Sequence, residues 1–207
     1  SSSKSSVYPI PECSGDMTDL PQKMMGALLK GVEHIEIREF DVERPGPEEI
    51  ILAIKAATTC GTDVKVFKRG GHPRMLEVPS LFGHEMAGNI AAIGCEVHNF
   101  KEGDKVVVAN SAPCQSCVYC RHGRENLCID LHYLNGAFAE YIRIPARFVR
   151  HSTHLMPAGL PFYLAALTEP LACVLHGINA CELNRFTNQE PPEIIVFGAG
   201  PIGLLFV

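Results

Sequence analysis

The sequence has no apolar run approaching the ~20 residues that a membrane-spanning helix needs. It has no excess of positive charge either. Its 18 Lys and Arg against 23 Asp and Glu leave a formal net charge of −5, which offers no electrostatic footprint for nucleic acid or an anionic membrane. The short basic run of Arg143, Arg147 and Arg150 reads as a solvated face rather than a phosphate track. The opening SSSKSSVYPIPECSGDMTDLPQK lacks the apolar core of a secretory signal, and Glu12, Asp16 and Asp19 argue against an organellar transit peptide. Residues 1–23 read instead as a flexible extension rich in Ser and Pro. No internal repeat is visible. The expectation is a cytoplasmic protein that engages neither nucleic acid nor membrane.

What is present is the composition of an ordinary globular protein, 46% hydrophobic and 20% charged over 207 residues. That length suits one large domain, or one domain and part of a second. Nine cysteines is a high and odd count. Four of them (Cys114, Cys117, Cys120 and Cys128) fall within 15 residues, which in a chain without an export signal favours metal binding over disulfides.

Short β signals dominate the first three quarters of the chain. EEIILAIKAA (48–57) follows a Pro-Gly-Pro turn, and GNIAAIG (88–94) comes next. DKVVVA (104–109) is entered through the turn-like KEGD at 101–104. AEYIRIP (139–145) alternates Tyr141 and Arg143 with Ile142 and Ile144, as a half-buried strand does. Such strands, separated by Gly and Pro, predict a barrel or curled sheet. The texture changes near residue 160. PFYLAALTEPLACVLHGINACEL (161–183) predicts two short helices, the second starting near Thr168, Glu169 and Pro170. A polar connector over 184–192 leads to EIIVFGAGPIG (193–203), which reads as a buried strand and a glycine turn.

The cysteine cluster reads C-x2-C-x2-C-x7-C. Four thiolates complete the tetrahedral coordination of zinc and leave no position for a substrate, so this site is expected to be structural. The alternatives are free thiols or an iron–sulfur site. Against the latter stand the long last gap and the absence of a following proline. His122, inside the loop, is expected to face solvent.

A second set is more dispersed. Cys60 opens Cys-Gly-Thr-Asp, and His84 lies in Phe-Gly-His-Glu-Met-Ala-Gly. Each alone reads as a buried structural residue. Together with the adjacent Glu85 and with Glu169 in Thr-Glu-Pro-Leu-Ala-Cys, they form a candidate catalytic metal set with an open position.

Gly-His-Glu followed by the four-cysteine spacing, in that order, resembles the zinc-dependent medium-chain dehydrogenase family across residues 24–207. The resemblance implies a mainly β, GroES-like β-barrel catalytic domain with a zinc lobe over 24–185, and the first strand and turn of an α/β Rossmann domain over 186–207. It implies that Cys60 and His84 ligate a catalytic zinc. It makes Asp63 the carboxylate orienting the histidine and Thr62 the hydroxyl that takes the proton from a bound alcohol. Glu85 would lie at or just behind the metal. The third ligand stays open: Glu169-Pro170 resembles sorbitol and other polyol dehydrogenases, in which Glu85 or Glu169 ligates directly, and Cys173 is one helical turn from Glu169. The chain departs from many relatives at Lys65, where they carry a histidine ending a proton relay.

Gly198-Ala-Gly200-Pro201-Ile202-Gly203 is a G-x-G-x-x-G turn placed after a predicted strand, as a dinucleotide fingerprint should be. The resemblance implies NAD or NADP as cofactor, a small alcohol or polyol as substrate, and assembly of the full-length parent into homo-oligomers. The sequence ends at Val207, before the acidic or basic residue that would choose between the two cofactors. The chain alone is therefore expected to be inactive. The rival class is a zinc-organised binding module without chemistry, or an inactive fragment acting as a subunit.

Overall fold

The computed structural model describes residues 20–182 and 193–207. Most of the extension expected over 1–23, and the connector expected over 184–192, therefore lie outside the described residues. A hairpin opens the fold, β1 (Lys23–Gly31) pairing antiparallel with β2 (His34–Asp41). It was absent from the expected strands. Its turn, Val32-Glu33, has none of the usual Asn-Gly chemistry, although Glu33 adopts a positive φ of 54°. The β2 side chains are almost all exposed or only partly covered, so no period-2 pattern betrays the strand.

The expected strands form a five-stranded antiparallel sheet. It comprises β3 (Ile50–Thr58), β5 (Glu85–Ile93), β6 (Lys105–Val108), β9 (Tyr141–Ile144) and β10 (Thr153–Leu155), in the order β10-β6-β5-β3-β9. In β9 the predicted alternation holds: Ile142 and Ile144 are buried while Arg143 is exposed. The short β4 (Ser80–Leu81) adds to β1, and a Gly26–Ala139 bridge joins the hairpin's sheet to the chain entering β9. The main core lies against the five-stranded sheet, with Leu52, Ile90, Val106 and Ile144 almost fully buried. Removing such a leucine side chain costs about 2–5 kcal/mol.

Five helices and a short ladder complete this part of the fold. After β3 comes α1 (Gly61–Arg69). The two-stranded ladder of β7 (Ser111–Ala112) and β8 (His132–Tyr133) closes the neck of a lobe. That lobe holds α2 (Val118–Arg121) and a single 3-10 turn. The helix α3 (Ala146–His151) packs Phe148 and Val149 into the core. The region after residue 160 forms α4 (Phe162–Ala165) and the longer α5 (Thr168–Ala180), with Leu167 rather than Thr168 as the capping position.

One expectation fails. The strand predicted over 194–197 does not form; residues 193–199 carry no regular structure, and Phe197 is 94% exposed. An apolar extended segment becomes a strand only where a neighbour offers ladder partners, and none of the described residues does so. A short helix, α6 (Pro201–Leu205), follows the glycine turn, with Gly200 as cap and Pro201 in its first turn. Among the described residues no helix is long and apolar enough to cross a membrane.

Candidate metal centre

Antiparallel pairing of β3 with β5 sets Thr58 opposite Glu85. Cys60 leaves the end of β3 and His84 enters the start of β5, so the register alone brings residues 24 positions apart to the same sheet end. Gly83 makes the approach possible. Its φ is +88°, and an added Cβ would lie 2.7 Å from the Phe138 ring. The glycine of Gly-His-Glu is thus required by backbone conformation and by ring packing.

Cys60 then caps α1. Its Sγ accepts from Thr62 N–H at 3.4 Å, and Asp63 Oδ2 accepts from Cys60 N–H at 2.9 Å, a capping box with sulfur in place of oxygen. The other Asp63 oxygen lies 3.0 Å from His84 Nδ1. With Nδ1–H donating to that carboxylate, Nε2 is the ring nitrogen left for a metal. Burial works against a charged His84, but the Asp63 hydrogen bond and charge, aided by Cys60, outweigh it and raise its pKa to about 9.

Cys60, His84 and Glu85 each offer a ligand atom, and the three atoms lie within 4.8 Å of one another. His84 and Glu85 are each only 3% exposed. Thr58 Oγ1 donates a hydrogen bond to Glu85 Oε2. Glu169, in the first turn of α5, lies outside that three-residue group but within its field. Burial raises the Glu169 pKa, the nearby His84 offsets part of this, and the charges of Glu85 and Asp63 raise it further. Glu169 Oε1 accepts from Asn110 Nδ2 at 3.2 Å. Thr62 is half-buried beside the group, and Cys173 is exposed outside it. Sequence reasoning missed Thr58 and Asn110, which act across 27 and 59 residues of chain with no local signal.

Beside Glu169 opens a cavity of about 480 Å³, lined by Met86, Val108, Asn110, Glu169, Cys173 and His176 among others. Its size and mostly apolar wall fit a small organic ligand.

The four cysteines of the lobe also converge, all sulfurs within 4.8 Å of one another. Cys117 and Cys120 sulfurs are 3.5 Å apart, and Cys114 and Cys120 sulfurs 3.9 Å. A tetrahedral ion with bonds of about 2.3 Å to sulfur needs edges of about 3.8 Å, whereas a disulfide needs about 2.05 Å. All four are free thiols. Backbone N–H groups of Ser116 and Cys117 point at Cys114 Sγ, and that of Cys114 at Cys128 Sγ. The Ser116 hydroxyl leads these bonds in lowering the Cys114 pKa to about 5. Val118 and Ile129 are 60% and 75% exposed, so the lobe has almost no apolar core to hold it. Arg147 ties it down through Pro113 O and Asp130. His122 is exposed, its Nδ1 engaged with Val118 O, and it takes no part in the cluster.

In the glycine turn, Gly198 has a φ of +113° and a Cβ on Gly203 would lie 1.9 Å from Gly198 O, while Gly200 faces open space. Only glycine fits at 203, and the turn is open on the side of Gly200.

The alcohol dehydrogenase GroES-like domain is the family whose model matches, over residues 46–154. D-altritol 5-dehydrogenase of Agrobacterium fabrum is 39% identical over 176 residues, covering 82% of this chain and 49% of its own length. Sorbitol dehydrogenase of Bacillus subtilis is 34% identical over 194 residues, covering 91% of this chain and 52% of its own. The chain spans about half the length of the curated relatives it matches. Among solved structures, a Sinorhizobium meliloti protein described as a zinc-binding dehydrogenase bound to NADP is similar with a TM-score of 0.78 and 29% identity, over 90% of this chain and 52% of that one.

Proposed function

The chain belongs to the zinc-dependent medium-chain dehydrogenases, and on that premise we propose that its open metal centre serves an NAD(P)-dependent oxidation of the CH–OH group of a secondary alcohol or polyol. The convergence of Cys60, His84 and Glu85 at one sheet end carries the reading. One thiolate, one imidazole and one carboxylate make a donor set that zinc accepts, and three protein ligands leave a fourth position open. The four thiolates of Cys114, Cys117, Cys120 and Cys128 leave none, so that site has a structural role.

When bound, a catalytic zinc would supply Lewis acidity that lowers the pKa of a ligated hydroxyl, and a nicotinamide would supply the hydride acceptor. The chain's own residues do the rest. Asp63 fixes the ring of His84 and the backbone of Cys60. Thr62 Oγ1, two residues after Cys60, accepts the proton of the substrate hydroxyl and passes it towards solvent. Glu169, its carboxyl pKa raised by burial, is suited to hold a proton beside the group and would be a further candidate to ligate the metal. The cavity beside it is of a size to receive one end of the carbon chain. Gly198, Gly200, Pro201, Ile202 and Gly203 would line the cofactor's pyrophosphate, with residues 186–207 opening a nucleotide-binding domain. The polyol relatives and Glu169-Pro170 direct the substrate class towards polyols.

Metal counting tests the reading. The chain is expected to hold two zinc ions, falling to one in Cys60→Ser and in His84→Ala, and either substitution placed in the full-length parent should abolish polyol oxidation by NAD or NADP. A single zinc, indifferent to Cys60, would instead mark a binding module organised by the cysteine lobe.

A further inference from the structure

Beyond Thr62, helix α1 carries Lys65, Val66 and Arg69 at three, four and seven positions on, all on one face. That face and the following Gly71, His72 and Met75 line a second cavity of about 240 Å³, and no carboxylate lines it. Residues 64–76 contain Lys65, Lys68, Arg69 and Arg74 and no Asp or Glu, in a chain whose formal net charge is −5. Among the described residues, the side chains of Lys65 and Arg69 have no hydrogen bond or ion pair, whereas Arg143, Arg147 and Arg150 each meet a carboxylate. His72 adds a fixed donor. Its Nδ1 accepts from the backbone N–H groups of Arg74 and Met75 at 3.2 and 3.1 Å, so the proton of the neutral ring sits on Nε2.

An uncompensated lysine, an uncompensated arginine and an imidazole N–H around one concavity form a receptor for an anionic group. Its place is specific. Lys65 lies one helical turn and Arg69 two turns from Thr62, roughly 4.5 and 10 Å along the axis, which is the reach of a small polyol's carbon chain. We propose that this cavity is an anion subsite of the metal centre, holding a terminal phosphate or carboxylate of the substrate, so that the enzyme prefers phosphorylated polyols or polyhydroxy acids to neutral polyols. The proposal rests on the dehydrogenase reading for the word substrate, while the anion receptor itself rests on the cavity.

Calorimetric titration of the zinc-loaded chain with glucitol, glucitol 6-phosphate, gluconate and NADPH tests it. The two anionic polyols are expected to bind at least about tenfold more tightly than glucitol, since hydrogen bonds to charged groups are the stronger class. In the double variant Lys65→Met, Arg69→Met that advantage should vanish, with zinc content and glucitol binding unchanged. Both positions are exposed, so the fold should tolerate the change. Equal affinities for glucitol and its phosphate in the parent chain, or an advantage that survives in the variant, would overturn the subsite. A variant that weakens NADPH but not the anionic polyols would assign these cations to the cofactor and overturn it too. A chain with one zinc that nevertheless keeps the Lys65- and Arg69-dependent preference would uphold the anion receptor while refuting the dehydrogenase reading.

Discussion

Asp63 holds His84 and Cys60 at once, one carboxylate oxygen 3.0 Å from the imidazole Nδ1 and the other accepting from the cysteine N–H at 2.9 Å. It therefore orients two of the three candidate ligands without touching a metal. Its loss should act on the open site alone. Asp63→Asn is expected to lower zinc affinity there by about 10–100-fold, leaving the cysteine lobe loaded. Competition with a graded series of chelators reads the two sites separately, and equal weakening of both would contradict the assignment.

The same contact makes the metal-free chain sensitive to pH. The His84 pKa of about 9 lies above the unfolded value of about 6.5. The folded state therefore holds this proton more tightly. The resulting stability is fully present below about pH 6.5 and lost as pH rises through about 9, a contribution of roughly 3 kcal/mol. Zinc needs the neutral ring, so metal affinity should change in the opposite sense, rising with pH over the same window. Denaturation of the chelator-treated chain at pH 6 and pH 9 checks the first, and zinc titration at the two values checks the second.

The proposed structural zinc makes the lobe a separate test. Burial and the neighbouring thiols push the Cys120 pKa up to about 12, so without a metal this sulfur stays protonated at neutral pH. Cys120→Ser should leave one zinc per chain and open residues 113–131 to proteolysis. The five-stranded sheet does not rest on the lobe, and its cooperative unfolding should persist.

Gly83→Ala places a methyl against the Phe138 ring at a φ of +88°. The expected cost is about 2–4 kcal/mol of stability, with weaker zinc retention because His84 follows directly. Denaturant titration of the zinc-loaded chain would show it. A neutral effect would mean that the turn relaxes without moving the histidine.

The two glutamates separate by substitution. Glu85→Gln should release the catalytic zinc, because it removes a member of the converged group. Glu169→Gln should retain the metal, and in the full-length parent it should lose turnover. The opposite pattern of metal content would exchange their roles.

Much of the site was legible because its chemistry is local. The four cysteines fall within 15 residues, so chain connectivity alone holds them within reach of one ion. Cys60 to Asp63 is a single helical turn, and the glycine turn needs only its own backbone. The β3, β5, β6 and β9 strands were readable because each buries enough apolar surface to impose a pattern. The first hairpin was not, since β2 shows both its faces largely to solvent.

Residue types and short spacings determined the four-cysteine set, the half-buried strands and the glycine turn, since each of these is settled within a few residues by covalent reach and local propensity. The tertiary structure decided which of those residues meet. The Thr58–Glu85 register set the metal group, β6 brought Asn110 to Glu169, and α1 lined up two unpaired cations beyond Thr62. It also left Ile194 to Phe197 outside any sheet. Convergence and pairing depend on partners distant along the chain, and no local pattern specifies a distant partner.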